Sequence, residues 1–260
     1  VFSILEIELI CFIKCENIPY ENLEEFFRIS SESERNWEHT VSWIDCTSSK
    51  LGRGIFTRGN FIKGESKKSR VKTALSVPLQ PPVSLINKTT LNMFNKTYFT
   101  IKKTMPKIFI QHYQNFLYPL DNILNWNRIY GPKGFYQYQS VVPKENALDA
   151  TKEMLNEIKL SGEGSFLAVL KTFGNKESLG MLSFPMEGVT LALDFPNRNH
   201  KTSQLFSRLD KIVEQASGRI YLAKDSRMTS TFFKCTYPTY KNLIPLIDKK
   251  FSSSMSKRLM

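Results

Sequence analysis

Three stretches of this sequence carry polar side chains at spacings that could serve a ligand. Arg219-Ile-Tyr221-Leu-Ala-Lys224-Asp225-Ser226-Arg227 reads as a strand that delivers Tyr221 and Lys224 into a charged turn. An ammonium held at such a strand end can stabilise negative charge developing on a neighbouring group. The plainer alternative is an ordinary Lys–Asp–Arg surface turn. Phe166-Leu-Ala-Val-Leu-Lys171 is an apolar strand with a lysine near its end, and Leu167, Val169 and Lys171 share one face. A lysine there either reaches a ligand or snorkels to solvent. Phe135-Tyr-Gln-Tyr-Gln-Ser-Val-Val142 alternates, so Gln137 and Gln139 face one way while Tyr136 and Tyr138 face the other. Two uncharged amides side by side suit a wall that hydrogen-bonds a neutral polyol, or simply meet solvent.

The elements that must hold these groups follow from periodicity. Strand 135–142, helix 147–159, strand 165–173, a strand near 180–184 or 189–195, helix 202–216 and strand 219–223 succeed one another. That β-α-β-β-α-β order is the split βαβ pattern, which makes an antiparallel sheet with helices on one face. Gly218 is expected at the C′ position of the second helix. Upstream, residues 1–14 read as a strand ending in a turn at Asn17-Ile18-Pro19. A helix then begins with Asn22 as N-cap and gives way to polar loop at Ser30–Glu34. His39–Asp45 alternates with Val41, Trp43 and Asp45 on one face. Residues 60–107 look least regular, with a short helix at Leu91–Phe99. An amphipathic helix carrying Ile123, Trp126, Asn127, Ile129 and Tyr130 is expected before the break at Gly131-Pro132-Lys133-Gly134.

Composition excludes several classes. The chain has 36 Lys+Arg against 24 Asp+Glu, a formal charge of +12, which admits phosphate, nucleic acid or anionic headgroups as partners. The cluster Lys63, Lys67, Lys68, Arg70 and Lys72 has no interleaved aromatic residue, so it reads as a solvated basic loop, not a nucleic-acid site. Cys11 and Cys15 stand roughly 13 Å apart on an extended chain, too far for one metal ion. His39, His112 and His200 have no metal-ligand spacing, so no metal is expected. Cys11, Cys15, Cys46 and Cys235 read as reduced thiols, which points to the cytoplasm. The apolar opening Val1–Ile13 is too short to span a membrane and lacks the basic start of a signal peptide.

The strings His39-Thr-Val-Ser-Trp-Ile-Asp-Cys46, Leu51-Gly-Arg-Gly-Ile-Phe-Thr-Arg-Gly59, Tyr118–Pro143, Gly188–Pro196 and Tyr221–Arg227 resemble FAD-linked oxidases of the vanillyl-alcohol-oxidase type. The similarity is closest to the decaprenylphosphoryl-ribose 2′-oxidase group and runs from about Leu5 to Leu259. The resemblance implies an α+β fold whose antiparallel sheet is the substrate (cap) domain over 11–218. Residues 1–10 and 219–260 would be pieces of an FAD-binding domain otherwise absent, so the chain looks like the C-terminal part of a longer oxidase and is not expected to be active alone. The implied activity is oxidation of a secondary hydroxyl of a sugar, the 2′-hydroxyl of a polyprenyl-phosphate pentose, as the first step of an epimerisation. A reductase partner would complete that epimerisation. A sugar-lactone or alcohol oxidase of the same superfamily, or a flavin-free sugar-lipid binding module, are the alternatives.

By resemblance Lys224 and Lys171 are catalytic, and Tyr221 and Lys224 hold the FAD. Tyr118, Gln137, Gln139, Trp43, Val169 and Thr190 contact substrate. Trp43 could equally be a core residue. Thr190 and Ala192 stand where mycobacterial members have Asn and Cys, so reagents that capture that cysteine should fail here. Membrane contact would be peripheral at most, through the basic loop at 60–107.

Overall fold

A computed structural model describes residues 12–48, 50–62, 75–248 and 250–260. The end strand expected over 1–10, Cys11, and the basic cluster from Lys63 to Lys72 lie outside the described residues. Strand β1 (Phe12–Tyr20) runs straight through the turn expected at Asn17-Ile18-Pro19. Proline cannot donate to a ladder, but nothing is lost here. The Asn17 N–H donates sideways to Lys107 O at 2.8 Å, and the Pro19 nitrogen points to the same side, beyond the point where pairing with that neighbour stops at Glu16. Helix α1 (Leu23–Ser33) is capped by the Asn22 side chain, as its sequence indicates, but continues through the supposed polar loop. Two of its serines face inward: Ser33 Oγ donates to Ile29 O at 2.7 Å, and the Ser30 and Thr172 hydroxyls are 2.8 Å apart.

Strands β2 (His39–Ile44) and β3 (Gly54–Ile62) follow, then the two-residue β4 (Leu75–Ser76). Helix α2 (Lys88–Thr104) is almost twice the length expected, started by a capping box between Asn87 and Thr90. Strand β5 (Ile108–His112) and helix α3 (Tyr113–Leu117) come next. The amphipathic helix expected over 123–130 does not form. Ile123–Leu124 is instead a strand, β6, parallel to β4, and Asn125 turns the backbone left-handed at φ 57° before a 3-10 turn at Trp126–Tyr130. The apolar spacing is still used, because Trp126, Ile129 and Tyr130 pack with Phe135, Ile86 and Leu91.

From β7 (Phe135–Pro143) the split βαβ pattern holds: α4 (Ala147–Ser161), β8 (Val169–Phe173), β9 (Gly188–Pro196), α5 (His200–Gln215) and β10 (Arg219–Ile220). All eight strands of the main sheet pair antiparallel in the order β10-β7-β9-β8-β2-β3-β1-β5. Strand β8 starts later than expected because Ser165 turns inward, its Oγ accepting the N–H groups of Leu167 and Asp194. Helices α1, α4 and α5 seal one sheet face with a core that includes Phe26, Leu155, Leu170, Leu191, Leu205 and Leu209. Each fully buried side chain of this kind contributes roughly 1.5–3 kcal/mol of transfer free energy. Helices α6 (Ser230–Thr236), α7 (Tyr240–Leu243) and α8 (Ser254–Leu259) add Phe233, Tyr237 and Leu259 to the same core. No helix among the described residues is long and apolar enough to cross a membrane.

The end of α5 departs from expectation in an instructive way. Ser217, not Gly218, is the left-handed C′ residue, at φ 57°. The Ser217 N–H reaches Glu214 O and the Gly218 N–H reaches Val213 O at 2.8 Å, the two bonds of a Schellman motif. Gly218 is required for space, since a Cβ there would lie 2.4 Å from Val141 O. Gly218→Ala should therefore lower stability to urea by roughly 1–3 kcal/mol. Ser217→Gly should raise it by about 0.5–1 kcal/mol by relieving the left-handed conformation. A Ser217→Gly variant no more stable than the native chain would show that Ser217 carries no conformational strain.

Candidate functional site

Alternation sends half of every strand away from the helices, and the register lines those residues up across the sheet. Gln139, Ala192, Val169 and Trp43 form one row over β7, β9, β8 and β2. Val141, Thr190 and Lys171 form the next, and Gln137 pairs with Asp194 in the row on the other side. The result is a continuous floor on the face opposite α1, α4 and α5. Eight of the nine residues singled out for it, including Tyr221 and Lys224 at its edge, converge there. Gln139 Nε2 donates to Thr190 Oγ1 at 3.2 Å, joining two rows.

The edge strand delivers the ammonium. The Tyr221 N–H continues the ladder to Gln139 O at 2.9 Å, after which Leu222–Lys224 coils as a 3-10 turn where a longer strand was expected. Lys224 Nζ donates to Gln137 Oε1. The next residue, Asp225, is no loose surface acid: it accepts the N–H groups of Arg227 and Met228 and an Arg258 guanidinium bond at 2.8 Å. Arg258 lies on α8, so the C-terminal helix anchors the turn that carries Lys224.

Aromatic groups border the floor. Tyr221 stacks on Phe184 with centroids 4.7 Å apart, and Phe184 meets Phe173 edge-on. Trp126, Tyr130 and Phe135 close the opposite end. Trp43 is half-buried and lies 4.7 Å from Tyr98 of α2, with its indole N–H donated to Phe166 O at 2.9 Å. It is held in place without being sunk in the core. Helix α2 is pinned above it because Asn95 donates to the buried Asp45 at 2.9 Å, while Asp45 also binds Arg53.

Tyr118 is not brought into this cluster. It caps α3 with an exposed side chain that has no hydrogen-bond or ring partner among the described residues. Three participants escaped sequence reasoning. Asp194 is buried on the floor, and its signal was available: it shares the alternation phase of Thr190 and Ala192. Phe94 and Tyr98, which build the aromatic wall with Phe166, were visible only as an apolar-rich run.

Burial sets the electrostatics. Asp194 is raised to about 6 by desolvation, held back by its bond with Gln137 and by the Lys224 charge. The atoms around Lys171 lower its ammonium, although its tip reaches the surface. Cys46, buried beneath the floor's margin, is pushed up to about 12 by burial and is chemically quiet.

No family model matches the chain. It is 34% identical over 246 residues to the decaprenylphosphoryl-β-D-ribose oxidase of Mycolicibacterium smegmatis, a match covering 88% of this chain and 53% of that protein. Over that half the chain is similar to the decaprenylphosphoryl-ribose oxidases. An uncharacterized protein from the mprA 5′ region of Streptomyces coelicolor is 32% identical over 116 residues, 43% of this chain and 31% of its own length. The chain thus spans about half the length of the oxidase relative and less of the second.

For an oxidase relative with this floor, pH offers a direct probe. Asp194 binds its proton more tightly folded than unfolded, so its contribution to stability falls as pH rises from about 4 to about 6 and the penalty is complete above that. Asp194→Asn removes the penalty. Its stability relative to the native chain should rise by roughly 2 kcal/mol between about pH 4 and pH 7, measured by paired urea titrations. A difference that does not change with pH would mean that Asp194 is not a buried, tightly protonated group.

Proposed function

We propose that this chain forms the substrate-facing part of an FAD-dependent oxidoreductase that oxidises a secondary hydroxyl of a sugar, specifically the 2′-hydroxyl of a polyprenyl-phosphate pentose. The observation that carries this is the floor itself: amides, a hydroxyl and two lysines arranged as neighbours beside an aromatic wall, in a chain 34% identical to a decaprenylphosphoryl-β-D-ribose oxidase. Gln139 and Thr190 offer hydrogen-bond donors and acceptors to sugar hydroxyls, and Lys171 stands in the next strand. Val169, Ala192 and Trp43 supply a flat apolar strip beside them that excludes water from one side of a bound ring.

The donor set fits a flavin. A cation fixed at the floor's edge, a tyrosine already stacked on Phe184, and small side chains at Val169 and Ala192 leave room for a planar ring. Tyr221 and Lys224 are the residues of this chain that would hold it. FAD, when bound, supplies the hydride acceptor. Lys224 contributes a positive charge whose position is set before reaction by Gln137 and by the anchored turn, so little reorganisation is needed when negative charge develops nearby.

Residues 11–218 are assigned to substrate binding and 219–260 to a return segment toward the flavin-binding part. A reductase acting on the resulting keto-sugar is the partner this chemistry calls for, and contact with lipid is peripheral, through the region 60–107. The Cys-to-Ala and Asn-to-Thr departures at 192 and 190 widen the floor and shorten one polar reach.

The test is made on this chain mixed with FAD and the FAD-binding portion of the M. smegmatis oxidase, followed by visible absorbance. Bleaching of bound flavin by a polyprenyl-phosphate pentose is the expected result, with Lys224→Met slowing it by about 100-fold or more. Weak FAD binding is expected from the chain alone. Bleaching by simple sugar lactones or alcohols but not by the prenyl-phosphate sugar would replace the substrate assignment. No flavin capture in the mixture would overturn the oxidase reading.

A further inference from the structure

Gln137 sits between two charged groups of opposite sign. Its Oε1 accepts from Lys224 Nζ, and its cross-strand partner in the β7–β9 ladder is Asp194, on the same face of the sheet. An amide has an acceptor on one side and donors on the other. An ammonium carries only donors and an ionised carboxylate only acceptors. With Oε1 toward Lys224, Nε2 must serve Asp194. The flipped amide would set donor against donor and acceptor against acceptor at once.

Asp194 itself is well fixed. Its main-chain N–H donates to Ser165 Oγ at 3.1 Å, and it is buried. The titratable groups facing it are Lys224 from the 3-10 turn and Tyr130 from the Trp126–Tyr130 turn. The Tyr130 hydroxyl is buried without a hydrogen-bond partner among the described residues, and burial together with the Asp194 charge raises it above the ordinary tyrosine range. A neutral phenol so placed leaves two routes by which the carboxylate acts on Lys224, its charge directly and the Gln137 amide.

We propose that Asp194 is the positioning residue for Lys224, orienting the Gln137 amide so that its oxygen holds the ammonium at the edge of the floor. The consequence for catalysis rests on the oxidase reading; the relay itself does not. A buried carboxylate would otherwise be a poor tenant of an apolar strand. Here it converts a side chain with two nearly isosteric orientations into one with a single orientation.

The test follows the rate at which an amine-selective acetylating reagent modifies Lys224 in the full chain, read by peptide mass spectrometry without flavin or sugar. Asp194→Asn, which can donate as well as accept, frees the amide to flip. Lys224 should then react about fivefold faster, the equivalent of one hydrogen bond of ~1 kcal/mol. Lys171 and Lys133 serve as internal references whose rates stay constant. In a Gln137→Glu background the acceptor has no wrong side, so adding Asp194→Asn should leave the Lys224 rate unchanged. An unchanged Lys224 rate in the single variant overturns the proposal. So does an equal acceleration in both backgrounds, which would mean that Asp194 acts on Lys224 directly through its charge or by general loosening, not through Gln137. A relay confirmed in a chain whose flavin mixture never bleaches would sink the oxidase reading and leave the relay standing.

Discussion

The nine-residue antiparallel pairing of β7 with β9 is the constraint on which the site depends. Side chains alternate with a period of two, so a slip of one residue would bury the amides against the helices and expose Tyr138 and Leu193. Two features hold the register. Tyr138, Val142, Leu191 and Leu193 all enter the helical core. At the far end Gly188, at φ 151°, lets the chain pass where a Cβ would lie 2.0 Å from Val142 O. Given that register, Gln137 must face Asp194 and Gln139 must stand beside Ala192, Val169 and Trp43.

One sheet therefore does two jobs. Its helical face provides the cohesion, a dense apolar layer from α1, α4 and α5. Its other face is free to be polar because stability does not rest on it. Polar groups there are costly to bury, and several are matched: Thr190 with Gln139 and Gln137 with Lys224. The charged network at Asp225, Arg227, Asp210 and Arg258 plays a related part behind the floor. These pairs are partly buried, so they are screened less than surface pairs and fix the turn that carries Lys224. Thr190 and Ala192 fall on the floor, not in the core, where a change alters what can bind more readily than whether the chain folds.

Much of this was legible in the linear chain, and for a simple reason. Period-two and period-3.6 patterns report which side of an element is buried, and burial is the largest local signal a sequence carries. The split βαβ unit, the opposite faces of Gln137 and Tyr138, and the N-cap at Asn22 follow from that signal alone. Errors came where the same residue types serve another purpose. Pro19 looked like a turn until the end of its neighbouring strand was known. Ser30 and Ser33 looked like loop until their inward hydrogen bonds were seen, and Asn125 broke a helix that the apolar spacing of Ile123, Trp126 and Tyr130 suggested.

What belongs to the sequence, then, is the identity of each face: which residues turn to the core and which to the open side, since that depends only on neighbours one or two positions away. The meeting of Lys224 with Gln137, of Gln137 with Asp194, and of Tyr98 with Trp43 depends on strand order and on where α2 lies. These partners are separated by dozens of residues, and no local pattern encodes which strand will lie beside which. That choice is made collectively by the buried face, which stays dry only when the strands are arranged in this one order.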